Sequence, residues 1–507
     1  MAQKEVSRNQ FIFQSPKHGD LASDPTPVDS QALSFVGFVG SGKDLDPEKA
    51  RHTPHVEVSK QGETIDSQSI SQDSLAQELP PPNGGLQAWL QVLGAHAVVM
   101  VTWYGTCLMN SSPNCLLNLI NFLRGYSTSF GFFQAHYLDL LPSSTPSDIS
   151  WIGSMQMFCL FFIGTFSGVA LDVGYFRWVM AIGAILLLLG IFMTSLATSY
   201  YQLFLAHGVC VGIANGCLFV PTLAVVTSYF TTRRGVAIGL MASGSATGGI
   251  LLPAIILKAL PQLGFAVTIR ILGCVVALLL CVAGCLMRPR ITPREARGFI
   301  DRAVFRDHPF CLFALGMFFL CLALLTPFYY ISTYARLLLP PGSTSSTPTT
   351  LIMVMNAAGI PGRLISARVA DKITGPYNSL IPFAFFSSII LFGWIGVKSI
   401  TGLFVFVVFY GYVAAALLTL FPFTMNSRIT PLNRLGVVSG MVCSFTSFAF
   451  LFGAPIAGAL LQLNADKPGV ETFRSAQIFS GCMALVSGIL LTIARMMMTN
   501  GKLIMRI

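Results

Sequence analysis

From Gly85 almost to the C-terminus, long apolar runs alternate with short polar connections. The runs are about 20 residues long, the length at which a helix crosses a hydrocarbon core of roughly 30 Å. Lipid cannot satisfy a free backbone N–H or C=O, so each run is predicted to be helical. They fall at 88–140, with an interruption, and then at 149–170, 177–197, 201–226, 235–257, 266–287, 309–331, 349–370, 377–398, 400–424, 435–462 and 474–496. The pattern therefore predicts an all-α, polytopic membrane protein of twelve spans.

Composition agrees with lipid as the solvent. Hydrophobic residues make up 53% of the 507 and charged residues only 10%, too few to clothe a soluble globule. The position of the charge says more than its total of +10. Residues 1–80 hold seven basic and twelve acidic side chains, are rich in Ser, Gln, Asp and Pro, and open on MAQKEVSRNQ, which has no apolar signal core. This segment is expected to be a disordered, acidic, cytosolic tail.

In the basic remainder, Arg177, Arg233, Arg234, the arginines from Arg288 to Arg306, Arg368, Lys372, Arg428 and Arg434 all fall at even-numbered connections. Odd connections hold only Lys258, Arg270, Arg336, Lys398, Lys467 and Arg474, with Arg124 in the interrupted region. The positive-inside bias then places both termini in the cytosol. The expected layout is an N-terminal six-helix half at 81–287, a basic cytosolic linker at 288–308 and a C-terminal six-helix half at 309–507. Two such halves suit alternating access around a site at the midplane.

Three separated stretches resemble a known family: PPNGGLQAWLQVLGAH at the first span, SYFTTRRGVAIGLMASGSATGG at the fifth and RLGVVSGMVCSFTSFAFLFGAPIAGAL at the eleventh. They look like the fungal monocarboxylate-porter-like branch of the major facilitator superfamily, and the likeness runs from about Pro81 to Arg495. The resemblance implies a secondary active or facilitative carrier of a small organic solute, a monocarboxylate or related organic anion, with the plasma membrane as the usual location. One departure is Asn83, where the family has Asp before the glycine pair.

Gly235, Gly239, Gly244, Gly248 and Gly249, with Ala242 and Ser245, give the fifth span a face without bulk, which serves either static packing or sliding. At the second connection, GVALDVGYFRWVM sets Asp172 and Arg177 across a turn at Gly174, and GRLISARVADKITG repeats the theme with Asp371 and Lys372. Both resemble the superfamily's cytosolic gating motif. With Arg233 and Arg234 anchoring the fifth span, these residues are expected to act as a latch that parts when the cytosolic side opens, or as plain topology anchors.

Arg363 is the leading candidate for cargo binding. It lies eight residues before Asp371, roughly 12 Å inside the cytosolic end. A cation at that depth is costly unless it meets a wet cavity or a partner. In the resembled family an eighth-span arginine is associated with the substrate carboxylate, a role that suits a bidentate guanidinium. Snorkelling, or pairing with backbone carbonyls, is the alternative. Asn356, Tyr126, Phe133, Gln134, Asn215, Tyr410 and Asn426 are candidates to line a cavity, and an aromatic lining favours a bulky or planar solute.

Animal members of the family place an aspartate one turn before the arginine, where this chain has Gly359, and a lysine in the first span that this chain lacks. All nine acids after residue 80 sit in or beside loops. Transport is thus expected to be facilitated, or coupled to protons through His96, His136 or His207.

The stretch Thr106 to Gly125 (TCLMNSSPNCLLNLINFLRG) breaks the first span, and its removal joins Gly105 to Tyr126 as one apolar run. It reads as a lineage-specific insertion or an unspliced intron. No GxSxG, HExxH or P-loop frame is present, so neither an enzyme nor an ATP-driven pump is expected. No cofactor, metal, disulfide or nucleic-acid partner is implied; the expected partners are the bilayer and a small-molecule substrate. Export of a secondary metabolite or riboflavin-type heterocycle is a second reading. A non-transporting sensor that signals through the tail is a third, separable by deleting residues 1–80. Oligomeric state is left open.

Overall fold

The computed structural model describes residues 82–102, 146–290, 302–340, 347–428 and 435–500. The chain divides between Gln77 and Glu78 into two units, and every described residue belongs to the second. Among the described residues the long helices are α1 (Leu86–Thr102), α2 (Pro146–Asp172), α3 (Phe176–Thr194), α4 (Tyr200–Tyr229), α5 (Arg234–Leu286), α6 (His308–Leu324), α7 (Thr326–Leu338), α8 (Thr347–Val369), α9 (Pro376–Gly393), α10 (Ile400–Arg428), α11 (Leu435–Gln462) and α12 (Arg474–Thr499). Among the described residues, ten helices are long and apolar enough to cross a membrane, and α1 is a shorter apolar one. The acidic tail and the inserted stretch 106–125 lie outside the described residues.

Two expected boundaries turn out differently. The break expected at 258–265 is absent, and α5 is helical for 53 residues. Straight, it would be about 80 Å long. Yet α1, about 25 Å long, touches it at two distant places. Its Gln91 Nε2 donates to the Leu286 carbonyl at 3.0 Å, while its His96 and Met100 carbonyls press on Gly244 and Gly248. Those contacts require the chain to double back between Gly248 and Leu286, so two limbs stand where two spans were expected.

The seventh span reaches Leu338 rather than stopping near 331, and it is broken between α6 and α7. Pro327, in the first turn of α7, has no N–H to continue the ladder. The Leu324 carbonyl, beside the break, accepts from the Tyr410 hydroxyl at 2.6 Å.

The motif at the first span works as a stitch. Asn83 adopts φ +51, a left-handed conformation that Asn tolerates well. Its Oδ1 accepts from the Thr231 N–H at 2.6 Å, the Thr231 hydroxyl at 2.9 Å and the Thr232 N–H at 3.0 Å. A neutral amide oxygen thus ties the start of α1 to the connection before α5, and the family's aspartate charge is not needed for it. Further along, Trp89 packs on Phe230 with ring centroids 5.1 Å apart, and Gln91 Oε1 accepts from the Arg288 N–H at 2.6 Å.

Helix pairing follows the two-halves layout. In the first set α1 packs on α5, α2 and α3 on α4; in the second α8 packs on α10, α9 on α10 and α12, and α6 on α11 and α12. The sets meet chiefly through two pairs, α2 with α11 and α5 with α8.

Candidate transport site

Polar side chains gather midway along the spans. Gln156 on α2, Asn215 on α4, Thr326 on α7 and Arg363 on α8 are all buried. The side-chain amides of Gln156 and Asn215, the Thr326 hydroxyl and Arg363 Nη1 have no hydrogen-bond partner. Buried polar groups are normally paired, because each one left bare costs on the order of 1–3 kcal/mol, and more for a charge. Four such groups inside their spans mark places where water or cargo supplies the partner.

Arg363 is 5% exposed. A methyl group built on Gly359, one turn earlier, would lie 2.7 Å from its Nη1 and 3.1 Å from Ala415 on α10. The guanidinium therefore lies back along its own helix towards Gly359, in the space the missing side chain leaves, beside α10. Among the described residues its Nη1 has no hydrogen-bond partner. Asn356 lies seven residues earlier on the same face of α8, half-buried, with its amide donating to the Ile352 carbonyl at 3.1 Å.

The gating residues separate. Asp371 sits in a π-helical turn, Ala370–Thr374, that ends α8. Its two oxygens accept from the Gly235 and Val236 N–H groups of α5, each at 2.8 Å. A carboxylate there satisfies two of the free amides at a helix start and meets the positive end of its dipole. Gly235 allows this approach, since a Cβ would stand 2.7 Å from Asp371 Oδ1 and 2.8 Å from the Ala367 carbonyl. The glycine face of α5 is thus split: Gly235 and Gly239 face α8, Gly244 and Gly248 face α1.

In the first half, Gly174 takes φ +97 and Arg177, second residue of α3, is exposed. Lys372 and Arg233 are exposed, and Arg234 is half-buried.

The remaining expected residues fall as follows. Tyr410 is fully buried and stacks on Phe406 with centroids 5.5 Å apart; with its hydroxyl on Leu324, it clamps the break in the seventh span. His96 Nδ1 lies 2.8 Å from the Leu240 carbonyl, a packing contact between α1 and α5. His207 is buried in the π segment Phe204–Cys210 of α4. Tyr126, Phe133, Gln134, His136 and the Asn426 side chain lie outside the described residues.

Sequence reasoning missed three features. Phe161 of α2 and Phe450 of α11 stack across the two sets at 4.8 Å and 10°, with Phe219 of α4 and Phe421 of α10 each 6.4 Å from Phe161. Such rings read no differently in sequence from lipid-facing ones. Near the same seam the Thr165 hydroxyl donates to the Gly440 carbonyl at 2.9 Å and lies 2.9 Å from Ser444 Oγ. Gln156 could have been found as the one amide within the second apolar run.

Two sets of membrane-length helices with unpartnered polar groups in their interior, a guanidinium among them, have the form of a membrane carrier. Comparison with known proteins agrees. The chain belongs to the Major Facilitator Superfamily, whose profile matches residues 115–426. It is 35% identical over 432 residues to an MFS-type transporter of Gibberella zeae, covering 85% of this chain and 92% of that one. It is 32% identical to the aspyridones efflux protein apdF of Emericella nidulans, covering 87% and 84%, and 30% identical to the agnestins efflux protein AgnL12 of Paecilomyces divaricatus, covering 75% and 86%.

Among solved structures, the human organic anion transporter MFSD10 matches with a TM-score of 0.58 at 14% identity, over 80% of this chain and 99% of that one. A D323A mutant of the nucleoside transporter NupG matches with a TM-score of 0.57 at 14% identity, over 81% and 100%. At that identity the likeness speaks for the fold alone. The chain is a multi-pass membrane transporter.

Proposed function

We propose that this transporter moves an organic anion by alternating access and that Arg363 is the charge that receives it. The observation that carries the reading is a guanidinium buried at mid-depth with an unpaired nitrogen, in a fold whose described acids all lie at helix ends. An anionic cargo supplies the countercharge that the protein withholds. Related proteins named for the efflux of aspyridones and agnestins favour outward movement of a secondary metabolite. The three sequence motifs favour the monocarboxylate-porter-like branch.

In this reading the halves at 81–287 and 309–507 rock about the cargo, with the linker at 288–308 and both termini in the cytosol of a plasma-membrane protein. Asp371 capping α5 is the latch on the cytosolic side, and it releases when α5 and α8 part. Asn215 and Gln156 offer amides to the neutral part of the cargo. Coupling to protons, if used, rests with His96, His136 or His207.

The test compares metabolites outside cells that carry the native chain or Arg363→Gln at equal membrane abundance. Anionic compounds accumulating outside with the native chain alone are expected. Accumulation that persists in Arg363→Gln, or that is confined to neutral compounds, contradicts the reading.

A further inference from the structure

Four phenylalanines from four different spans, two in each set, converge between the halves. Phe161 and Phe450 are buried face to face at 4.8 Å and 10°, and Phe219 and Phe421 flank Phe161 at 6.4 Å. Their depth follows from helical rise. Phe161 lies eleven residues inside Asp172, Phe219 ten inside Tyr229 and Phe421 seven inside Arg428, which puts their backbones about 16, 15 and 10 Å in. Arg363 is about 12 Å in by the same measure.

Phe450 lies fifteen residues into α11, about 22 Å in, but α11 runs opposite to α2, so side chains leaning towards each helix N-terminus bring the two rings to one level. That level is also the level of Arg363. Ala415, which adjoins its guanidinium, is on the same helix as Phe421.

A stacked pair with one ring on each half has to separate whenever the halves part along the α2–α11 seam. Each ring then loses an aromatic face, and a flat conjugated group regains it on insertion, which a saturated group of equal size does not. We infer that Phe161 and Phe450 form a slot for the planar part of the cargo, and that the substrate class is flat, conjugated organic anions. This deepens the Arg363 reading and rests on it. Other contacts cross the same seam: Thr165 bonds to Gly440 and Ser444, and Phe448 and Phe452 of α11 meet Phe158, Phe162 and Trp151 of α2, but those two α11 rings are 43% and 42% exposed and do not form a buried face-to-face pair.

The experiment uses the full chain in proteoliposomes with two probes of one skeleton, 2-naphthoate and trans-decalin-2-carboxylate. The native protein is expected to favour naphthoate by about tenfold, the value of one aromatic contact. That ratio falls towards one in Phe450→Leu, which keeps an apolar side chain without the ring, and in Phe161→Leu. It stays at the native value in Phe386→Leu, whose ring is exposed on the outside of α9.

Thermal unfolding checks that each variant is folded, and Phe450→Tyr, which retains the ring, is expected to keep the preference. Equal flux of the two probes through the native protein, or a ratio unchanged by both leucine variants, overturns the slot. If anions move without regard to flatness and Arg363→Gln abolishes their flux, the slot alone fails. If the native protein moves neither anion above the Arg363→Gln background, the Arg363 reading and the slot fail together.

Discussion

Among the described residues of the second half two arginines are buried, and they live in different surroundings. Arg495, on α12, is 7% exposed, and its Nε donates to Asn378 Oδ1 at 2.5 Å, joining α12 to α9 near the end of the bundle. Asn378 is itself fixed, its amide donating to the Thr374 carbonyl at 2.8 Å. Arg363 is about as deeply buried, lies mid-span, and has a nitrogen with no partner. The first is a structural tie. The second is a charge the fold tolerates at a cost to its own stability, and functional sites are where such costs are retained.

The contrast breaks most sharply at Arg363 itself. Arg363→Gln is expected to cut transport about 100-fold, the scale of losing one member of a buried charge pair. The same change raises the unfolding temperature, because it removes a buried cation that has no protein partner. Asp371→Asn comes next. It weakens a carboxylate cap worth about 1–2 kcal/mol, so the cytosol-open population should rise by up to about tenfold, read from labelling of a cysteine placed beneath the latch.

Gly359→Ala sets a methyl group where Arg363 Nη1 now lies, 2.7 Å away, and should raise KM several-fold by tilting the guanidinium. Arg495→Gln has the smallest effect on flux and the opposite effect on stability. It should lower stability by about 1.5–3 kcal/mol while transport per folded molecule stays within about twofold. A variant at Arg495 that stopped transport without loss of stability would erase the distinction between the two arginines.

Much of this was legible in the apolar runs, because span length is set by bilayer thickness and holds at nearly every helix. The reversal within α5 was read correctly as two limbs but wrongly as a break in helicity. The break at Pro327 was missed, since a proline in an apolar run signals a break only where carbonyls beside it find other donors, as that of Leu324 does in the Tyr410 hydroxyl. At the site, Arg363 stood out by its cost. Asp371 stands out as a gate residue, yet its partners include the Gly235 and Val236 backbone amides, which no side-chain pattern can reveal. Phe161 and Phe450 were hidden because a ring facing another helix and a ring facing lipid have the same letter.

Binding to purified protein reaches the central claim most directly. Thermal unfolding of the native chain and of Arg363→Gln is followed with 2-naphthoate and with its neutral amide, 2-naphthamide. A pairing of Arg363 with the cargo's charge predicts that naphthoate raises the native unfolding temperature with concentration, that the amide does not, and that neither compound moves Arg363→Gln. Equal stabilisation by the amide, or a naphthoate shift that survives in Arg363→Gln, would contradict it.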